Sequence, residues 1–214
     1  MLSVSIEQAR QWYREADTVH DFEHVLRVLH TAEVIARQEQ ANMEIIHTAA
    51  LLHDVSGALP GSKERAEHHI ASAVFAGQVL LNAGWPPEKI EAVQHCIRTH
   101  RFRAKADEVP STLEAKILFD SDKLDVIGAI GVARVIAYAA LAGSPFYVEP
   151  SESFLVTGKK VEGEPHSAYH EYLFKLRRIK DRLFTPTARK LAEDRHAYIE
   201  DYFKRLGAEM RGEL

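Results

Sequence analysis

Histidine and aspartate are the residues of this 214-residue chain whose types and spacing could do chemistry. His24 lies in "HDFEHVLRV" (20–28), where Arg27 follows three residues later on the same helical face. His53 and Asp54 stand side by side at the end of the apolar run in "HTAALLHDVSG" (47–57). "EHHIASA" supplies His68 and His69, and "HCIRTHRF" supplies His95 and His100. "LFDSDKLD" (118–125) sets Asp120, Asp122 and Asp125 into an otherwise apolar helix. Imidazole nitrogens and carboxylate oxygens together suit Mn, Mg, Co, Ni, Zn or Fe, and no thiolate cluster competes. A lone histidine on an apolar face is ordinarily a packing or surface group. The adjacent pair His53-Asp54 is more demanding, because buried polar groups are costly unless satisfied. Either that helix end turns out to water or a cation sits there.

The elements that must position these groups read as helices almost throughout. Helices are expected at about 5–16, 22–40, 43–54, 66–83, 87–101, 111–126, 127–142, 166–184 and 187–211. Asp21 can cap the second, and Ser111 and Thr112 can open the sixth. Gly and Pro interrupt the pattern in "GALPGSK" (57–63), "GWPP" (84–87) and "GSPF" (143–146). The one hairpin-like stretch, "SFLVTGKKVEGE" (153–164), is short and charged and is expected to be a loop. On the sixth helix, positions 113, 117, 120, 124 and 127 form an apolar stripe that contains Asp120, while Asp122 turns towards the side of Leu118. Periodicity alone therefore leaves Asp120, Asp122 and Asp125 open as ligands. The expected fold is all-α: a helical bundle over 1–145 carrying the histidines, then 146–214 as a loop and C-terminal helices packing on the same domain.

Composition excludes several classes. A net charge of −4 leaves no basic footprint for nucleic acid. No apolar run reaches 18 residues, so no membrane span is expected. Cys96 is the single cysteine and has no intramolecular partner. The opening "MLSVSIEQARQWYREAD" lacks the basic-then-apolar pattern of a secretory signal, which makes the cytoplasm the expected location. "HSAYHEYLFKLRRIKDRLF" (166–184) is amphipathic, suited to pack on the domain or across a homodimer.

The ordered set His24, His53-Asp54 and a later Asp resembles the H…HD…D signature of the HD-domain superfamily. Members are mostly metal-dependent phosphohydrolases built on a helical bundle. "HDFEHVLRV", "AALLHDV", "ILFDSDKLDVIGAIGVAR" and "HSAYHEYLFKL" extend the likeness to small stand-alone bacterial members, over roughly residues 20 to 200. The resemblance implies His24, His53 and Asp54 as ligands, and "SDKL", similar to the family's "ADRL", selects Asp122. His68, four before Ser72, and His100, in the pattern "I..H", match the histidines of two-metal members and would complete four His and two Asp. With one metal they would face the substrate phosphates instead. His69 and His95 are expected to be packing or supporting groups.

The implied chemistry is hydrolysis by a metal-activated water, with Asp54 placed to hold that water. Arg27 and Lys123 are the candidate cations for phosphate oxygens, and His68 or His100 could protonate the leaving group. The residues after His53-Asp54, "VSGALPG", lack the acidic pair of alarmone hydrolases, and the GYP motif of the cyclic-dinucleotide branch is absent. The expected substrate is a small phosphorylated molecule, a nucleotide, cleaved as a triphosphate pyrophosphohydrolase or a nucleotidase would cleave it. The loop "AGSPFYVEP" (142–150) offers Phe146 and Tyr147 to stack a base or to anchor packing. Two other readings use the same residues: a di-iron HD-fold oxygenase, and a ligand-sensing module without turnover.

Overall fold

The computed structural model describes residues 4–13, 22–57, 67–101 and 108–214, and among them every regular element is helical. The expected cap at Asp21, the start of the fourth helix at 66 and all of the 57–63 break beyond Gly57 lie outside the described residues. The first helix, expected to reach 16, ends at Arg10 with Gln11 as its C-cap. The chain divides into two compact units. The first comprises Met1–Asp122 with Phe184–Ala188, the second Lys123–Leu183 with Arg189–Leu214.

In the first unit, α1 (Ile6–Arg10), α2 (Phe22–Glu39), α3 (Met43–Leu52), α4 (His68–Asn82) and α5 (Pro87–Thr99) precede α6 (Leu113–Leu124). Asn42 caps α3, its side chain accepting from the amides of Glu44 and Ile45, which satisfies two donors that a helix start leaves open. Beyond that cap α3 is apolar on nearly every side, so it becomes the central rod: Ile46, Ala49, Ala50, Leu51 and Leu52 have no exposed surface. It packs against α1, α2, α4 and α5. Val25, Val28 and Leu29 of α2 and Val93, Cys96 and Ile97 of α5 complete the core around it. α4 and α5 pack together around Gly77, where a Cβ would lie 2.3 Å from Gln94 Nε2, whose amide donates to the Ala73 carbonyl at 2.9 Å. Thr112 opens α6 as the sequence suggested, its hydroxyl accepting from the Ala115 amide at 3.2 Å.

The second unit holds α7 (Gly128–Leu141), α8 (Glu152–Thr157), α9 (Ala168–Phe174) and most of α10 (Pro186–Met210). Two expectations change here. The stretch 153–164, expected to be a loop, begins inside a short helix. Ser151 caps it, and Glu164 closes the segment by accepting from the Ser151 amide, the Ser151 hydroxyl and the Val161 amide. The helix expected over 166–184 stops at Phe174 and continues as two 3-10 turns, Leu176–Arg178 and Lys180–Arg182. Leu176 and Ile179 are both buried. Their three-residue spacing suits a 3-10 turn, in which such positions eclipse. Among the described residues no single helix is long and apolar enough to cross a membrane.

Candidate metal centre

Two of the site histidines end helices, and the helix ends explain their chemistry. His53 is the C-cap of α3 and His100 the C-cap of α5. The last carbonyls of a helix have no partner within it. His53 Nδ1 lies 2.8 Å from the Ala50 carbonyl and His100 Nδ1 lies 2.7 Å from the Ile97 carbonyl. A carbonyl can only accept, so each Nδ1 carries the proton and each Nε2 is left as a lone pair. The carbonyl thereby fixes the tautomer that a metal ligand needs. Tyr13 takes another open carbonyl of α3, its hydroxyl donating to Leu51 at 2.9 Å.

His24 enters from α2, His68 is the first residue of α4, and Asp122 lies near the end of α6. Together with His53, Asp54 and His100 they form two groups of three, His24–His53–Asp122 and Asp54–His68–His100. Within each, the ligand atoms lie inside 4.8 Å of one another. Asp54 spans both. Its Oδ1 is 3.0 Å from His68 Nε2 and 3.4 Å from His100 Nε2. Its Oδ2 is 3.8 Å from His53 Nε2 and 3.9 Å from His24 Nε2. His24 Nε2 is also 3.4 Å from Asp122 Oδ1 and 3.4 Å from His53 Nε2. Ser72, one turn beyond His68 and fully buried, accepts from the Ser56 amide at 3.0 Å. That bond holds the start of α4 against the turn that carries Asp54, a contact no sequence signal announced.

The donor set fits a divalent cation. Asp54 Oδ1 is buried and, among the described residues, finds no hydrogen bond of acceptable geometry even with His68 Nε2 at 3.0 Å. An orphaned carboxylate oxygen facing imidazole lone pairs is costly without a cation between them. Burial pushes the His53 imidazole down to about 4, opposed by the Asp54 charge, so it is neutral at pH 7. Burial works against ionising Asp54, but the surrounding imidazoles of His53, His100 and His68 outweigh it and hold its carboxyl well below the usual carboxylate range. Neutral imidazole and ionised carboxylate are the forms that bind metal.

The remaining histidines and acids separate. The His69 ring lies beside the centre, 5.9 Å from the His68 ring and 6.5 Å from that of His100. His95 pins a loop: Nδ1 is 2.6 Å from Glu108, and Nε2 accepts from the Ser111 amide at 3.2 Å. Asp120, fully buried, accepts from the Phe184 and Thr185 amides and the Thr185 hydroxyl at 2.7–2.9 Å. It thus anchors the turn before α10. Asp125 takes Arg134 at 2.6 Å. Arg27 is half-buried one turn beyond His24 on α2, and Lys123, next in the chain after Asp122, is 8% exposed.

The profile of the HD domain family matches residues 21–127, a span that contains all six residues of the centre. The chain belongs to the HD domain family. It is 33% identical over 213 residues to the uncharacterised protein YpgQ of Bacillus subtilis strain 168, covering 96% of this chain and 94% of that one. A crystal structure of B. subtilis YpgQ in complex with ADP superposes with a TM-score of 0.71 at 30% identity, over 97% of this chain and 99% of that one. An HD-superfamily hydrolase from Bacillus thuringiensis matches at 28% identity with a TM-score of 0.70, over 96% and 94% of the two chains. The HD fold and its hydrolase relatives, with a centre able to hold divalent metal, place this chain among HD-superfamily hydrolases in the broad sense.

Proposed function

We propose that the protein is a metal-dependent phosphohydrolase whose substrate is a nucleotide, cleaved as a triphosphate pyrophosphohydrolase or a nucleotidase would cleave it. The observation that carries the reading is Asp54, with Oδ2 turned to His24 and His53 and Oδ1 to His68 and His100. In this reading His24, His53, Asp54 and Asp122 would hold one cation, and His68 and His100 together with Asp54 would hold a second. Bound divalent cations supply Lewis-acid stabilisation of a phosphoryl oxygen and an activated water. The protein's part is to hold the six donors in fixed positions, which the helix-end carbonyls do for His53 and His100. Arg27 and Lys123 are assigned to substrate phosphate oxygens, where charge grows in the transition state. If only one cation binds, on His24, His53, Asp54 and Asp122, His68 and His100 would instead face the phosphates and protonate the leaving group. The ADP bound to YpgQ supports a nucleotide as ligand here.

The test is to strip the protein of metal and reload it separately with Mn, Mg, Co and Fe against a panel of nucleotides. Phosphate and pyrophosphate are quantified separately, with Asp54→Ala as control. Manganese-dependent release that disappears in Asp54→Ala supports the reading and identifies the bond that breaks. Release no higher than in Asp54→Ala with every metal overturns it. Oxygen uptake by the iron-loaded protein without phosphate release would replace it with the di-iron oxygenase.

A further inference from the structure

The second unit contains a cavity of about 420 Å³ that none of the six metal-centre residues lines. Its walls come from α9, the two 3-10 turns and α10. Four cations line it, Arg177, Arg178, Lys180 and Lys204, against two carboxylates, Asp181 and Glu200. Glu200 is occupied by Lys204 at 3.1 Å. Arg178 lies over the Phe174 ring at 5.8 Å. Arg177 and Lys180 make no ion pair among the described residues, and both are exposed. Like charges gathered on consecutive short turns repel unless an anion joins them.

Further polar groups around the cavity lack partners. Tyr172 is 6% exposed, stacked on Phe203 with centroids 4.7 Å apart, yet its hydroxyl has no hydrogen bond among the described residues. Tyr169, half-exposed and near-parallel to Tyr172, likewise makes none through its hydroxyl. His196 is 8% exposed, and its buried Nδ1 has no hydrogen-bond partner among the described residues, while Nε2 is 3.9 Å from Glu200. The Arg177 guanidinium, the Lys180 ammonium and the hydroxyls of Tyr169 and Tyr172 are thus donors on the cavity wall, which is the complement of phosphoryl oxygens.

We propose that this cavity binds a phosphate-bearing anion, its oxygens held chiefly by Arg177 and Lys180. The shared chemistry is a linear phosphoanhydride, either an inorganic chain or the polyphosphate of a nucleotide. The assignment rests on no residue of the metal centre, so its failure leaves the hydrolase reading intact.

The test uses the full chain stripped of metal, titrated calorimetrically with inorganic triphosphate and with ATP, alongside Asp54→Ala treated in the same way. One binding event retained in Asp54→Ala is expected, weakened at least tenfold in the double variant Arg177→Glu, Lys180→Glu. The same charge change at the exposed Lys159 and Lys160 outside the cavity is expected to leave it unchanged. Equal affinity for the two ligands marks an inorganic anion, and tighter ATP binding marks a nucleotide. Should charge reversal disturb folding by circular dichroism, Arg177→Gln carries the same test. Absence of binding, or equal weakening by both double variants, overturns the proposal.

Discussion

At the scale of single residues, the centre depends on which aspartate faces which neighbour. Asp120 and Asp122 are two positions apart on one helix and therefore point to nearly opposite sides. Asp122→Ala is expected to lower bound metal, read by elemental analysis, with little change in unfolding free energy. Asp120→Ala is expected to do the reverse, because it leaves two backbone amides and a hydroxyl near Phe184 and Thr185 without their acceptor. Its cost in urea unfolding should be on the order of 3 kcal/mol with metal content kept. His53 makes a prediction about pH. Its imidazole is pushed from the ordinary 6.5 down to about 4 in the folded protein. The unfolded chain then binds more protons between those values, so stability is full above pH 6.5 and is lost as pH falls towards about 4. Thermal midpoints of the metal-stripped protein should decline across that window, and the decline should be shallower in His53→Gln. An identical slope in the variant would remove His53 as the cause.

At the scale of elements, apolar periodicity and the breaks between runs made the order of α2 to α7 and α10 legible, with α3 apolar nearly all round and buried as the central rod. It could not see α8 or the break at Lys175. α8 exists through Glu164, a partner thirteen residues from Ser151 that no local pattern connects. The break follows from the spacing of Leu176 and Ile179, which an amphipathic helix and a 3-10 turn both tolerate. The centre was legible only in part: the residue types and the resemblance named the six donors that the fold gathers, while Ser72, the Ala50 and Ile97 carbonyls and the anchoring task of Asp120 are tertiary facts. The connection into α7 carries a sharper constraint. A Cβ at Gly131 would lie 2.3 Å from the Val126 carbonyl oxygen, which is backbone and cannot swing aside. Gly131→Ala is thus expected to cost roughly 1–3 kcal/mol or more, as overpacking does, visible as a lower denaturation midpoint. A midpoint equal to the parent's would mean the turn relaxes freely.

For the molecule as a whole, cations that bind only the folded chain stabilise it by mass action. At one hundred times the dissociation constant the gain is about 2.7 kcal/mol. In a chain of this length that corresponds to a rise of roughly 5–10 °C in the melting temperature. Scanning calorimetry with manganese and with chelator should show that difference, and Asp54→Ala should show almost none. Charge ties this to the substrate. The chain carries a net charge of −4, which at long range repels a polyanion. Yet four of the six donors in the centre are imidazoles, His53 among them neutral, and only Asp54 and Asp122 are carboxylates. Two carboxylates cannot neutralise two dications, so the filled centre would be an island of positive charge on an acidic protein. Anion and cations would then recruit one another: each should be held more tightly in the presence of the other, by the same factor in both directions.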